Sequence, residues 1–383
     1  MAHDGIIYLD HSATSWPKPP EVVDAVVDAL TRAGGNPHRG AHSLALAASR
    51  LILESRSSVA ELLGVRDPRD VIFVPGCTYG LNLALKGVLR RGDRVVVSSV
   101  EHNAVTRPLA RLAGSGVKVV TVDADSAGLV DADDVEAAVM SGATTAVVCQ
   151  HASNVTGAIQ PVGDLADIAH AAGAVLIVDG AQATGHMKLD LEALGADIYV
   201  ASGHKGLLGP QGVGVLYIKP GLEVRELIQG GSGGQSENPA MPVERPDRYE
   251  AGTLPTPAIA GLGAAARLLA VEQERLIDEE QRLVRLLMEG LSKIPGLRIL
   301  GPSLGVERAP VVSVVHDRIA ADRIAYELDA KYKIAVRAGL HCAPWAHRTT
   351  DTLLTGAVRF GIGRGVSASD IDQALHAMSE ICS

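Results

Sequence analysis

Short runs of β-branched and aliphatic residues recur between residues 71 and 218: "VIFV" (71–74), "RVVVSS" (94–99), "VKVVTV" (117–122), "TAVVCQ" (145–150), "AVLIVD" (174–179), "DIYVA" (197–201) and "GVGVLYI" (212–218). Their apolar positions are nearly continuous rather than alternating, as in strands buried on both faces of a parallel sheet. Several gaps between them hold helically spaced stretches, such as "GLNLALKGVLRRG" and "DADDVEAAVMSG". Two further helices precede the strands. One is "EVVDAVVDALTRAGG", after Pro17, Pro19 and Pro20; the other is "SLALAASRLILESRSSVAELLG", with Ser43 as N-cap and Gly64 as stop. Strand and helix in alternation predict an α/β, doubly wound domain.

The alternation breaks at 229–257, "QGGSGGQSENPAMPVERPDRYEAGTLPTP", too long and too rich in Gly and Pro for an ordinary connector. Such a segment gates a site, contacts a partner, or is a plain surface loop. A long helical pattern, "AIAGLGAAARLLAVEQERLIDEEQRLVRLLMEGLSKI", follows. Beyond it, strands near 297–300, 311–316, 334–337 and 357–361 and helices near 321–330 and 369–381 predict a small α+β domain. The expected organisation is an N-terminal segment (1–19) packed with the small domain, a large α/β domain (20–260), and a small α+β domain (261–383). A length of 383 residues suits one large domain and one smaller.

Composition narrows the partners. Apolar residues make up 47% and charged residues 21%, which describes an ordinary globular chain; aromatics at 3% leave the core to Ala, Val, Leu and Ile. A net charge of −9 with no basic run argues against nucleic acid. The N-terminus lacks the basic-then-apolar pattern of a secretory signal, and no apolar run approaches the ~18–20 residues of a membrane span. Cys77, Cys149, Cys342 and Cys382 show no CxxC spacing, which suits a reducing, cytoplasmic setting.

In an open α/β sheet, ligands bind beyond the carboxyl ends of the strands. After "VIFV" comes "PGCTYGLN", a glycine turn with Cys77 and Thr78 at a helix start, where backbone N–H groups and a hydroxyl form an anion cradle. After the next strands come His102 in "VEHNAV", Asn154 in "HASNVTG", Asp179 and Gln182 in "VDGAQATGH", and Ser202, His204 and Lys205 in "SGHKGLLGPQGVG". Singly, each has an ordinary explanation: a loop histidine, a helix cap, a solvated lysine. Jointly they converge on one edge of the sheet. Lys205 lies between Gly203 and Gly206, as expected where backbone approaches a bulky ligand. A lysine able to carry an imine, with an acid to hold a pyridinium nitrogen protonated, points to pyridoxal 5′-phosphate (PLP).

The stretches "YLDHSATS", "NPHRGAHSLAL", "GCTYGLNLAL", "EHNAVTRPL", "HASNVTG", "VDGAQATGH", "SGHKGLLGPQGVGVLY", "YEAGT" and "VRAGLHCAP" together resemble the cysteine desulfurases and selenocysteine lyases. These belong to the class V aminotransferase group of fold-type I PLP enzymes. The resemblance runs in order along essentially the whole chain. It implies a large domain with a mostly parallel seven-stranded sheet, a homodimer, and L-cysteine or a related thio or seleno amino acid as substrate. Lys205 matches the Schiff-base lysine, Asp179 the pyridine-nitrogen partner, Gln182 the contact to the phenolic oxygen and His102 the histidine on the ring. Thr78, Ser202 and His204 match phosphate ligands, with Cys77 beside them; Thr253 matches the phosphate contact donated by the other subunit. Asn154 and Arg359 match groups that bind the substrate carboxylate, and Arg337 an arginine close to the reactive cysteine.

Cys342 matches the nucleophilic cysteine that becomes a persulfide; the other reading is a structural cysteine. A zinc site at His341, Cys342 and His347 fails on ligand count and spacing, so no metal is expected. Arg337 and the neighbouring histidines, His341 among them at the substrate side, are expected to favour the thiolate. "RAGLHCAP" resembles the short-loop, group II enzymes, which implies a separate sulfur-acceptor protein. Two departures stand out: His11 in place of an asparagine, close to where substrate would bind, and Leu340 in place of a histidine. A selenocysteine lyase, another class V reaction (C–S lysis, transamination or epimerisation) that does not use Cys342, or a docking component active only with its acceptor, remain alternatives.

Overall fold

Each of the β-branched runs forms a strand of one seven-stranded sheet. The computed structural model describes residues 5–37, 40–233 and 237–383. His38 and Arg39 of "NPHRGAHSLAL", and residues 234–236 of the glycine-rich loop, lie outside the described residues. The chain opens with β1 (Ile7–Tyr8), α1 (Pro20–Arg32) and α2 (Ser43–Leu62). Then follow β2 (Val71–Val74), α3 (Cys77–Val88), β3 (Arg94–Ser98), α4 (Asn103–Ala113), β4 (Lys118–Val122), α5 (Ala132–Met140) and β5 (Ala146–Gln150). Next are α6 (Val162–Ala171), β6 (Val175–Asp179), α7 (Leu191–Leu194), β7 (Ile198–Ser202), β8 (Gly214–Ile218) and α8 (Thr256–Leu291). The remainder comprises β9 (Leu297–Leu300), β10 (Val311–His316), α9 (Ala321–Tyr332), β11 (Ile334–Ala335), β12 (Arg337–Gly339), α10 (Pro344–Thr349), β13 (Ala357–Gly361) and α11 (Ala368–Cys382).

The large sheet has the order β2-β8-β7-β6-β5-β3-β4. Pairings among β3 to β7 are parallel; β8 runs antiparallel to both β7 and β2. Successive side chains point to opposite faces. Val95, Val97, Val148, Ile177 and Val200 enter one core with Leu81 of α3 and Val105 of α4, while Val96, Val147, Leu176 and Val178 enter another with Leu165 of α6 and Val135 of α5. Both faces are therefore covered, which explains the unbroken apolar runs. The order reverses between β3 and β5, and at such a switch point the following loops splay apart and leave a crevice.

α8 passes from one core to the next. Ile259, Leu262, Leu269 and Leu276 lie in the large core; Leu283, Leu287, Met288 and Leu291 lie in a second with Val312, Val358 and Phe360. That second core backs an antiparallel sheet of order β12-β13-β10-β9. The strand expected at 334–337 is two strands: Ile334–Ala335 pairs with β1, and Arg337–Gly339 pairs with β13. Ser43 is the first residue of α2 rather than its cap; His42 caps it, with Nδ1 accepting from the Ala45 amide at 3.4 Å. α4 contains Pro108, a residue that removes one helical hydrogen bond. The helix accommodates it, capped by His102, whose Nδ1 accepts from the Ala104 amide at 3.0 Å. Among the described residues, no helix is long and apolar enough to cross a membrane.

Candidate active site

The carboxyl ends of the parallel strands meet at a cavity of about 710 Å3. Gln150 and Asp179 are register partners at the ends of β5 and β6, and Ser202 ends β7. Cys77, Thr78, His102 and Asn154 line the cavity from one set of loops; Asp179, Gln182, Ser202, His204 and Lys205 line it from another. Nine residues singled out from the sequence thus share one space, of a size suited to a small ligand. Arg337, His341, Cys342, Arg359 and Thr253 are not among its walls.

Lys205 has its pKa lowered, chiefly by burial, with Asp179 and Cys77 opposing and Arg359 and Arg337 reinforcing. The turn before it is stapled from afar. The His204 carbonyl accepts from the Ser15 amide (2.9 Å), Ser15 Oγ (3.1 Å), Thr14 Oγ1 (3.2 Å) and Lys18 Nζ (3.0 Å). The "SATSWPK" stretch therefore holds Lys205 in place, a role its sequence did not signal. The flanking glycines correct the sequence reading. A Cβ on Gly203 would stand 2.5 Å from the Val213 carbonyl oxygen, and one on Gly206 2.4 Å from that of Thr184. These glycines make room for neighbouring backbone, not for a ligand.

Asp179 accepts from the Ala181 amide at 3.0 Å and from the Cys77 thiol at 3.3 Å; burial and Asp179 together raise that thiol well above the ordinary range. Cys77, Thr78 and Tyr79 open α3, so their amides have no intrahelical acceptor and border the cavity. Nδ1 of His204 is buried without a partner, and its ring is held neutral, its pKa lowered to about 4 by burial, Lys205 and Lys18. Gln182 donates Nε2–H to the Ser12 carbonyl at 2.9 Å. His102 is also pushed down by burial, against Asp179 and with Lys205, Arg359 and Arg107.

Asp10, passed over in the sequence, is the hinge of a charge cluster. Its Oδ1 accepts from Arg359 at 3.1 Å and its Oδ2 from Arg337 Nε and NH2 at 3.1 and 3.0 Å. The two arginines are register partners on β13 and β12. Arg359 also donates to the Asn154 carbonyl at 3.2 Å, and its Nε is buried without a partner. His11 packs its ring against Tyr8 and Gly363 and is not among the walls of the cavity.

Cys342 is exposed, on the short connection from β12 to α10. His341 (φ 50°) and Cys342 (φ 56°) are both left-handed, which costs non-glycine residues about 1 kcal/mol or more each. Tertiary bonds offset this. The Cys342 carbonyl accepts from the Asn103 amide at 2.8 Å, and the His341 carbonyl from Asn154 Nδ2 at 2.7 Å. The His341 ring turns to His347 (Nδ1 to Nε2, 3.2 Å), and His347 Nδ1 meets Thr352 Oγ1 at 2.7 Å. Burial lowers His341 to about 3 and His347 to about 4, so both are neutral near pH 7. The expectation that the histidines favour a thiolate by charge is corrected accordingly, and Arg337 already serves Asp10.

Two further acids were missed. Glu250 of "YEAGT" accepts from Arg56 at 2.6 and 2.7 Å and from the Phe73 amide, anchoring the end of the glycine-rich loop on β2. Thr253, nearby and exposed, accepts from Asn36 Nδ2 at 3.4 Å. Glu101, beside His102, is fully buried and raised to about 8, chiefly by burial. These groups predict the pH profile of stability. His11 and His341 (about 3) and His151 and His347 (about 4) refuse protons that the unfolded chain accepts below about 6.5, so stability is lost as pH falls through that range. Glu101 keeps a proton that the unfolded chain releases above 4.5, so stability declines as pH rises towards about 8. The melting temperature is expected to peak near pH ~6.5 and fall on either side, more steeply in acid. Calorimetry at fixed ionic strength checks this; a profile flat from pH ~5 to ~8 contradicts it.

The aminotransferase class-V family model matches residues 7–374. The chain belongs to that family. Among its relatives, a probable cysteine desulfurase of Pyrococcus abyssi is 34% identical over 98% of this chain and 94% of the relative. A probable cysteine desulfurase of Halalkalibacterium halodurans is 33% identical over 93% and 88%. Among solved structures, an apo cysteine desulfurase from Thermococcus onnurineus superposes with a TM-score of 0.91 at 32% identity, covering 98% of this chain and 94% of that one. A cysteine desulfurase from Escherichia coli gives 0.87 at 28% identity, covering 98% and 94%. Within the class-V family this chain therefore stands with the cysteine desulfurases, and it has their fold.

Proposed function

We propose that the protein is a PLP-dependent cysteine desulfurase that converts L-cysteine to L-alanine and keeps the sulfur on Cys342 as a persulfide. The observation that carries this reading is an exposed cysteine, held on a left-handed loop, beside His102 and the lysine-bearing cavity. PLP fits the residues present. The free amides of α3, Thr78, Ser202 and the unpartnered Nδ1 of His204 suit its phosphate; Asp179 suits its ring nitrogen, Gln182 its phenolic oxygen, and His102 borders the same space. Thr253 would reach the phosphate held by a second copy, and the working form would then be a homodimer.

When bound, PLP supplies an electron sink for the pair left on the substrate's Cα. Lys205, with a lowered pKa, takes the Cα proton at Nζ and returns it. Arg359 Nε and Asn154 receive the amino-acid carboxylate side, oriented through Asp10. The Cys342 thiolate attacks the substrate sulfur; the new S–S bond forms as the Cβ–S bond breaks, Cβ gains a proton, and alanine leaves. Mass spectrometry of the holoenzyme after L-cysteine, without reductant, is expected to show one added sulfur on the Cys342 peptide. Sulfur on no cysteine, or on Cys77, would overturn the assignment.

A further inference from the structure

α3 and α4 carry three cations into one groove. Thr78, Asn82 and Lys86 share a face of α3 at successive four-residue steps, and Arg107 and Arg111 share a face of α4. These residues, with His102 and Cys342, line a groove of about 490 Å3 that adjoins the cavity, and among the described residues no acidic side chain lines it. Lys86, Arg107 and Arg111 are exposed, and none has a carboxylate within 4.0 Å among the described residues. Some exposed cations pair locally, as Arg275 does with Glu272 and Arg282 with Glu279, while others such as Arg50 and Lys293 stand alone among the described residues; what sets these three apart is that they share one groove. In a chain of net charge −9, three unpaired cations beside an exposed cysteine form a local field of opposite sign.

The spacing sets the size of the occupant. The Asn103 amide binds the Cys342 carbonyl, so Arg107 and Arg111 lie about 6 and 12 Å further along α4. Lys86 lies about 12 Å along α3 from Thr78. A small thiol reacting at Cys342 does not span that distance, whereas three or four extended residues do, at about 3.3 Å each. We propose that this groove receives an acidic polypeptide segment of the protein that accepts sulfur from Cys342, with carboxylates two to four residues from the accepting cysteine. The inference rests on the desulfurase reading. In the transfer, the acceptor thiolate attacks the outer sulfur of the Cys342 persulfide. The new S–S bond forms as the old one breaks, Cys342 leaves as thiolate, and no oxidant is consumed.

The test uses holoenzyme loaded with labelled sulfur from L-cysteine and synthetic peptides with one central cysteine flanked by Glu, Gln or Lys. The Glu peptide is expected to accept sulfur about tenfold faster than the Gln peptide at low salt, with the advantage shrinking at ~0.3 M salt. The Lys86→Glu/Arg107→Glu/Arg111→Glu variant is expected to favour the Lys peptide, and Arg107→Gln alone to lose part of the preference. A dye-labelled Glu peptide without cysteine is expected to bind wild type and not the triple variant, a readout that needs no turnover. Equal acceptance of Glu and Gln peptides, or equal binding to both proteins, overturns the groove assignment. So does an equal advantage of mercaptosuccinate over mercaptoethanol, which marks a small anion as the occupant. Absence of labelled persulfide with peptide binding intact overturns the desulfurase reading instead.

Discussion

Lys205→Ala is expected to reduce alanine release from L-cysteine by at least about 10³-fold while leaving the fold intact. Lys205 is the one lysine lining the cavity among the described residues, and burial lowers its pKa, which favours the neutral amine that can take a proton. Its position comes from backbone rather than from its own side chain: the His204 carbonyl is held by Ser15, Thr14 and Lys18. Removing the side chain therefore leaves the turn stapled, and the melting temperature should move little. Lys205→Arg is expected to be equally inactive, because a guanidinium does not surrender its proton. A variant retaining a tenth of wild-type turnover would contradict the role assigned to Lys205.

Asp10→Asn is expected to cost about 3–5 kcal/mol of stability, because it strips the counter-charge from a buried guanidinium. Arg359 is 3% exposed and rests on Asp10 Oδ1, while the half-exposed Arg337 on Oδ2 contributes less. Arg359 also holds the Asn154 carbonyl, and Asn154 holds that of His341, so a displaced Arg359 is expected to be felt in the loop carrying Cys342. Denaturant unfolding reads the first effect. The KM for L-cysteine, measured where the variant is folded, is expected to rise more than kcat falls. Asp10→Asn/Arg359→Met should recover much of the stability and none of the activity, since it removes the orphaned charge along with its function. A single variant within about 1 kcal/mol of wild type would show that the cluster is not a buried ion pair in solution.

How far the chain could be read from its sequence follows from the range of the interactions. Strands buried on both faces are continuous apolar runs, so β2 to β8 were legible to within a residue or two at their ends. The residues that line the cavity were legible because the topology brings strand ends together. His102, Asn154, Asp179 and Lys205 needed only their order after the strands. Contacts between distant parts of the chain were not legible. Asp10 meets Arg337 across 327 positions, and Ser15 meets His204 across 189. No local pattern marks such partners. Local signals also misled where tertiary packing prevailed. Gly203 and Gly206 yield to neighbouring backbone, and Ser43 begins α2 where its cap is His42. The basic groove was invisible for a related reason: Lys86, Arg107 and Arg111 are dispersed in sequence, and only the packing of α3 against α4 unites them.

The most direct test of the account is alanine release from L-cysteine by holoenzyme with dithiothreitol, comparing wild type with Cys342→Ala. The exposed side chain of Cys342 can be cut back without disturbing the core. Wild type is expected to release alanine continuously and the variant to fall to background, as required if sulfur leaves the substrate only onto Cys342. Equal release from both proteins would contradict the account and make this class-V enzyme a lyase that does not use its exposed cysteine.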